Sequence, residues 1–188
     1  MKNIELKAKV ENFRTLRELL KKAGATREGI LLQEDVYFNC KKGRLKLRTI
    51  NNKISELIYY KRPDKNGSKL FTYDRCPIPG NQAKTLREIL KETCGESISV
   101  TKKRELWMHG NTRVHLDVVK ELGMFIELET VVNKKAIPQA KVEHEKVARL
   151  LQISKLPKVR WSYSDLSRKA KNRNSAGVFF KKGSNIIH

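Results

Sequence analysis

The sequence predicts an α+β domain of about eight antiparallel strands and three helices, on three observations. Short runs of alternating apolar and polar residues recur along the chain with the period of two that a half-buried strand requires. Turn signals join consecutive runs: Lys42-Gly43, Asn51-Asn52, the segment from Pro63 to Gly67, His109-Gly-Asn111 and Leu122-Gly123. Several are short enough for hairpins, hence for antiparallel pairing. Three stretches with apolar residues at helical spacing interrupt the strands.

In chain order, residues 4–10 put Ile4, Leu6, Ala8 and Val10 on one face and Glu5, Lys7 and Lys9 on the other. Phe13, Leu16, Leu19, Leu20 and Ala23 then recur at helical spacing, so 15–23 reads as a short helix stopped by Gly24. Strands are expected at 31–39, 44–50, 56–62 and 70–76, followed by a helix at 82–93. Strands at 97–108, 112–119 and 124–132 precede a helix at about 137–151, where Val142, Val147, Leu150 and Leu151 share a side. From Ser167 the apolar rhythm stops and six bases appear with no acid: Arg168, Lys169, Lys171, Arg173, Lys181 and Lys182. Residues 167–188 therefore read as a basic, flexible tail behind a domain of residues 1–166.

In 188 residues, 41 Lys and Arg stand against 20 Asp and Glu, a formal charge of +21. Such a surplus calls for an anionic partner: nucleic acid, an anionic lipid surface or a phosphorylated small molecule. The cysteines, Cys40, Cys76 and Cys94, are odd in number and form no Cys-x-x-Cys pair, which argues against a disulfide framework or a zinc site and predicts a reducing, cytoplasmic location. The first residues alternate charged and apolar side chains and no run approaches 18 apolar residues, so neither a signal peptide nor a membrane span is expected.

Taken strand by strand, the charges fall in period-two sets. Nine are bases, Lys7, Lys9, Arg44, Lys46, Arg48, Lys61, Lys102, Arg104 and Arg113, and four are acids, Glu5, Asp117, Glu127 and Glu129. Two arrangements satisfy this pattern. The sheet can bury its apolar face and turn the charges to water, or it can close with the charges inside and helices covering part of the outside. The second demands a wet interior holding a polyanion, because unpaired buried charge costs several kcal/mol per ion. Carboxylates among the bases then point to a divalent cation beside that anion, since hard cations take oxygen ligands. A polyphosphate with its metal meets both demands.

At this point an ordered series of segments resembles the CYTH superfamily, the triphosphate tunnel metalloenzymes, which include class IV adenylyl cyclases, thiamine triphosphatases and inorganic triphosphatases. The segments are Ile4-Glu-Leu-Lys7, Gln33-Glu-Asp-Val-Tyr-Phe38, Gly43-Arg-Leu-Lys-Leu-Arg48, Tyr59-Tyr-Lys-Arg-Pro63 and Val100-Thr-Lys-Lys-Arg104. Arg113-Val-His-Leu-Asp117, Leu122-Gly-Met-Phe-Ile-Glu-Leu-Glu129 and Ser162-Tyr-Ser-Asp-Leu166 complete the series. Each alone is weak, whereas the order across most of the chain is specific. The likeness is greatest to the class IV cyclase and thiamine triphosphatase-like branch.

The resemblance implies a closed antiparallel eight-stranded β-barrel forming a tunnel, with flanking helices and a short helix at one mouth. It implies Mg²⁺ or Mn²⁺ held by Glu5, Glu127 and Glu129, with Asp117 nearby. Phosphate contacts would be Lys7, Lys9, Arg44, Lys46, Arg48, Lys61, Lys102, Arg104 and Arg113, of which Lys7 and Arg113 would act with Glu5 and Asp117 in catalysis. Arginine suits this role because its planar fork meets phosphate oxygens in pairs. The expected activity is hydrolysis of ATP, thiamine triphosphate or tripolyphosphate, with cyclisation of ATP to cyclic AMP and pyrophosphate as the alternative. A non-catalytic triphosphate or polyanion sensor is the third reading, motivated by Asn3 where the family carries a glutamate, and the basic tail motivates a rival in which RNA or another polyanion binds an external surface. His115, between Arg113 and Asp117, is expected to be a hydrogen-bonding bystander, with a proton relay as the lesser reading, and Tyr59 and Tyr60 to be packing residues on opposite faces of one strand, with base stacking on one of them as the lesser reading. The basic tail is expected to bind nucleic acid weakly and in a salt-dependent way.

Overall fold

The computed structural model describes residues 2–61, 67–132 and 137–181, with side chains through residue 173. Its strands are β1 Lys2–Val10, β2 Thr26–Phe38, β3 Arg44–Ile50, β4 Ile54–Lys61, β5 Lys69–Ile78, β6 Glu96–His109, β7 Thr112–Val119 and β8 Gly123–Val132. The helices of the described residues are α1 Arg14–Lys22, α2 Ala83–Cys94, α3 Ile137–Leu150 and α4 Tyr163–Lys181. The strands close into a single barrel in the order β1-β5-β4-β3-β2-β6-β7-β8. Every pairing is antiparallel, and β1 seals the ring by pairing with both β5 and β8.

The local signals explain most boundaries. Asn51 and Asn52 sit at φ of 51° and 54° in the β3–β4 turn, the left-handed backbone that asparagine tolerates better than most residues. The α1 helix ends at Ala23, whose N–H reaches back to Leu19, and Gly24 follows at φ 71°. Strand β2 starts five residues earlier than the alternation implies. A register shift between Arg27 and Gly29, with Gly29 at φ 138°, lets β2 continue through a bulge that interrupts its period.

Of the two arrangements open to the charged faces, the chain adopts the inward one. The apolar face of β1, Leu6, Ala8 and Val10, joins Val114, Leu116, Ile126 and Leu128 in a buried layer outside the barrel, covered by Leu16 and Leu20 of α1 and Val147 of α3. Val36, Phe38 and Leu47 form a second layer against Leu86 and Leu90 of α2. Burying each such side chain contributes roughly 1.5–3 kcal/mol, so the helical sheath supplies the core that an ordinary barrel places inside itself. The barrel interior is thereby left for polar groups.

One end of that interior is apolar. Tyr37, Ile58, Tyr60, Ile98, Val100, Val119 and Phe125 cluster with Tyr163, the first residue of α4. The Phe125 and Tyr163 rings meet edge to face at 5.1 Å between centroids. Helix α4 thus lies across this mouth, as expected for the Ser162-Tyr-Ser-Asp-Leu166 segment, but it does not stop there. The stretch expected to be a flexible tail continues as helix to Lys181, and the Arg168 guanidinium donates to Ser97 Oγ at 2.9 Å. Charge spacing alone hid this helix, which has no apolar stripe to betray it. Residues 182–188 lie outside the described residues, as do Arg62 of the expected strand 56–62 and Pro63 of the expected turn. No helix of the described residues is long and apolar enough to cross a membrane.

Candidate functional site

Antiparallel register sets who faces whom inside the barrel, because directly opposed residues point to the same side. Lys7 opposes Glu127 and Glu5 opposes Glu129 across β1 and β8. Arg104 opposes Asp117, and Asp35 opposes Arg48. All of these but Asp117 line one central cavity, with Lys46, Lys102, Arg113 and, from β4 and β5, Glu56 and Arg75.

The inward charges are cross-linked. Asp35, 1% exposed, accepts from Lys46 Nζ at 3.0 Å, Arg48 Nε at 2.6 Å and Lys102 Nζ at 3.1 Å. Burial alone would raise the Asp35 pKa, yet the charges of Arg48, Lys102 and Lys46 hold it well below the usual carboxylate range. Arg104 donates in fork geometry to both oxygens of Asp117, at 2.7 and 2.6 Å, and to Glu127 Oε2 at 2.7 Å. Lys7 Nζ stands 2.9 Å from Glu127 Oε1 and 3.9 Å from the centre of the Tyr163 ring. Arg113 pairs with Glu129 at 3.2 Å, leaving its buried Nε without a hydrogen-bond partner. The described lining holds seven bases and five acids. This formal surplus of two is smaller than the sequence pattern implies, and each carboxylate presets the cations around it.

Burial, aided by Arg48, pushes Lys46 down to about 7, against the opposing pull of Asp35. A polyanion entering beside it would restore its proton, so binding should take up a proton above pH 7. Below pH 7 the group is already charged and contributes no pH dependence; above it, affinity falls with rising pH, by up to tenfold per unit. Titration calorimetry with tripolyphosphate in two buffers of different ionisation enthalpy measures that uptake. Lys46→Arg, charged at every accessible pH, should abolish it, and equal uptake in the variant would contradict this assignment.

Not every expected residue lies in the cavity. Lys9 is exposed at the end of β1, past the enclosed part of the barrel. Lys61 is also exposed: β4 turns Glu56, Ile58 and Tyr60 inward, so Lys61 falls on the opposite face and lines an outer pocket beside α4. Arg44 shares that outer pocket and pairs with Asp165 of α4 at 2.9 Å. Asp117 is fully enclosed, its oxygens engaged by Arg104 and by the Tyr163 hydroxyl at 2.9 Å, and does not line the cavity. It fixes the Arg104 guanidinium from behind. His115 faces Glu127 Oε2 at 3.4 Å, with burial and Arg104 lowering its pKa. Sequence reasoning passed over Asp35, Glu56, Arg75, Phe71, Tyr73 and Tyr163. The alternation of Gln33, Asp35 and Tyr37 could have exposed Asp35.

The residues at the β1–β8 seam suit a hard dication. Glu5, Glu127 and Glu129 line the same cavity, and Asn3 is fully buried beside them with its amide nitrogen donating to Glu129. Its Oδ1 is buried without a hydrogen-bond partner, an oxygen of the kind that hard cations take as a ligand. Among the described residues, no three histidine, cysteine, aspartate or glutamate side chains gather closely enough to cage an ion alone.

The CYTH domain family model matches residues 1–163. The PH1012 protein of Pyrococcus horikoshii OT3 is 26% identical, with a TM-score of 0.75 over 87% of this chain and 98% of its own. An adenylate cyclase-like protein of Vibrio parahaemolyticus shares the fold at 16% identity and a TM-score of 0.70, covering 88% of this chain and 97% of its own. A Hippeastrum protein, adenylyl cyclase-like by name and with a dominant triphosphatase activity, does so at 14% identity and a TM-score of 0.64, over 90% of this chain and 95% of its own. No curated protein matches the chain.

Proposed function

The chain belongs to the CYTH domain family, and from that premise we propose that it is a metal-dependent hydrolase that removes the terminal phosphoryl group of a triphosphate held in the tunnel. One observation carries the reading: Lys7, Lys46, Arg48, Lys102, Arg104 and Arg113 all point into one cavity, closed at the α4 end by apolar side chains. Bases placed outward would serve a surface polyanion; inward bases serve a small one that fits inside.

Phosphoryl transfer asks a protein chiefly to position its substrate and to neutralise charge on the phosphate oxygens. Arg48 and Arg104 offer forked donors fixed beforehand by Asp35 and Asp117, so little side-chain freedom is lost when an anion arrives. Lys46 and Lys102 supply point charges at the same carboxylate. Tyr163 and Phe125 exclude water from the α4 end. A Mg²⁺ or Mn²⁺ ion held by Glu127, Glu129, Glu5 and Asn3 Oδ1 would polarise the phosphoryl group.

Incubating the purified protein with ATP, thiamine triphosphate and tripolyphosphate, each with Mg²⁺ or Mn²⁺, tests the reading. Orthophosphate and the matching diphosphate are expected. Cyclic AMP with pyrophosphate from ATP would assign cyclisation on the same cradle, and absence of turnover with all three would contradict the enzyme reading.

A further inference from the structure

Turning its charges inward leaves the barrel with an apolar exterior, and one part of that exterior is bare. Opposed residues across β2, β6, β7 and β8 stand in outward rows: Ile30, Glu105, Leu116 and Ile126 form one, and Leu32, Lys103, Val118 and Met124 the next. Leu16 and Leu20 of α1 cover the first row, where Leu116 and Ile126 are fully buried. Of the second row only Met124 reaches the edge of that layer, and α2 covers a different one, around Val36 and Phe38. Leu32 is left 58% exposed, Val118 43% and, at the end of the covered row, Ile30 42%.

Between this strip and α1 runs a groove of about 700 Å³. Among the described residues its lining carries five bases, Arg14, Arg17, Lys21, Arg27 and Lys103, against one acid, Glu105. That acid is already taken, accepting from Arg17, Arg27 and the Trp107 indole. An aliphatic floor under a positive rim defines an occupant that is apolar on one side and acidic on the other. A second copy of this chain does not fit, since its own charge of +21 repels the rim. A flat bilayer meets protruding side chains, whereas Leu116 and Trp107 lie buried at the bottom of the groove. Single-stranded nucleic acid gains most from open ring faces, and the two rings here, Phe13 and Trp107, are buried. An amphipathic helix with an acidic outer face meets both demands, its apolar stripe on Ile30, Val118 and Met124 and its carboxylates at Lys21 and Lys103.

We infer that this groove docks an acidic amphipathic segment of another protein, laid as a helix on the outer wall of the barrel. The tunnel lies on the other side of the same sheet, so the docking surface stands apart from the triphosphate reading and neither depends on the other.

The methionine methyl groups give a direct probe, because Met124 lines the groove and Met108 opposes inward Arg113 on the other side of the sheet. In methyl-labelled protein, a synthetic peptide of about fourteen residues that places leucines at helical spacing among glutamates should shift the Met124 resonance and leave Met108 in place. An isomer of the same composition, with its leucines dispersed around the helix, should bind about tenfold more weakly. The Lys21→Glu/Lys103→Glu variant, changed only at exposed positions, should weaken the first peptide about tenfold, and Val118→Ser about fivefold. Equal binding of the two isomers reduces the rim to non-specific charge attraction and overturns the proposal, as does a shift confined to Met108 or no binding at all. Single-stranded RNA or phosphatidylserine vesicles that move Met124 at a lower concentration than the peptide would overturn it in favour of that ligand. The comparison of isomers uses the wild type alone, so it decides the matter even where a variant does not fold.

Discussion

Replacing Asp35 with Asn is expected to lower the stability of the ligand-free protein by about 3–5 kcal/mol. The carboxylate is 1% exposed and is shared by Lys46, Arg48 and Lys102, all within 3.1 Å. An amide there keeps the shape but removes the charge that holds mutually repelling buried cations together. Relaxation of Lys46, already near pKa 7, relieves part of the repulsion by shedding a proton. Tripolyphosphate supplies the missing negative charge, so it should stabilise the variant by more than it stabilises the wild type. Urea unfolding with and without tripolyphosphate reads both effects. A variant as stable as the wild type, or one that gains no more from the anion, would show that Asp35 does not organise the cradle.

The Glu127→Gln/Glu129→Gln double variant is expected to lose metal-dependent turnover by about 100-fold or more. These carboxylates lie on one face of β8 beside the unpartnered Asn3 oxygen, and both have pKa values below the usual range despite burial, through Lys7 and Arg113 respectively. Triphosphate affinity in the absence of metal should hold or tighten, because two negative charges leave an anion site and release Lys7, Arg104 and Arg113 to the phosphates. Turnover assays paired with metal-free calorimetry separate the outcomes. Normal turnover in the double variant would remove the metal from this seam, and a parallel loss of binding would make the glutamates structural.

How far the molecule could be read in advance follows the physics of each element. Strands β3 and β7 begin and end where the pattern places them, because charged and apolar positions interleave over most of their length and turn signals bound them. The inward direction of the charges was not decidable from alternation, since an inside-out barrel and an ordinary one share the same period. Only the helices that cover Leu6, Ala8 and Val10 settle it. Lys61 was misplaced because the charge of a strand residue says nothing of its parity: Ile58 and Tyr60 occupy the inward positions of β4 in place of charges. Asp35 escaped notice because, next to Gln33 and Glu34, it looks like one more solvated polar residue of its strand until its partners, 11, 13 and 67 positions away, fold onto it. The continuation of α4 through the basic stretch left no signature, as its sequence lacks the apolar face by which helices are recognised.

The central claim, that a triphosphate lies inside the barrel among the inward bases, is tested most directly by a crystal structure of the protein with tripolyphosphate and Mn²⁺, using anomalous scattering to locate the metal. The account predicts phosphate density within hydrogen-bonding distance of Lys46, Arg48, Lys102 and Arg104, with an anomalous peak at Glu127 and Glu129. Phosphate density confined to the outer surface, with the Asp35 and Glu127 ion pairs undisturbed, would contradict it.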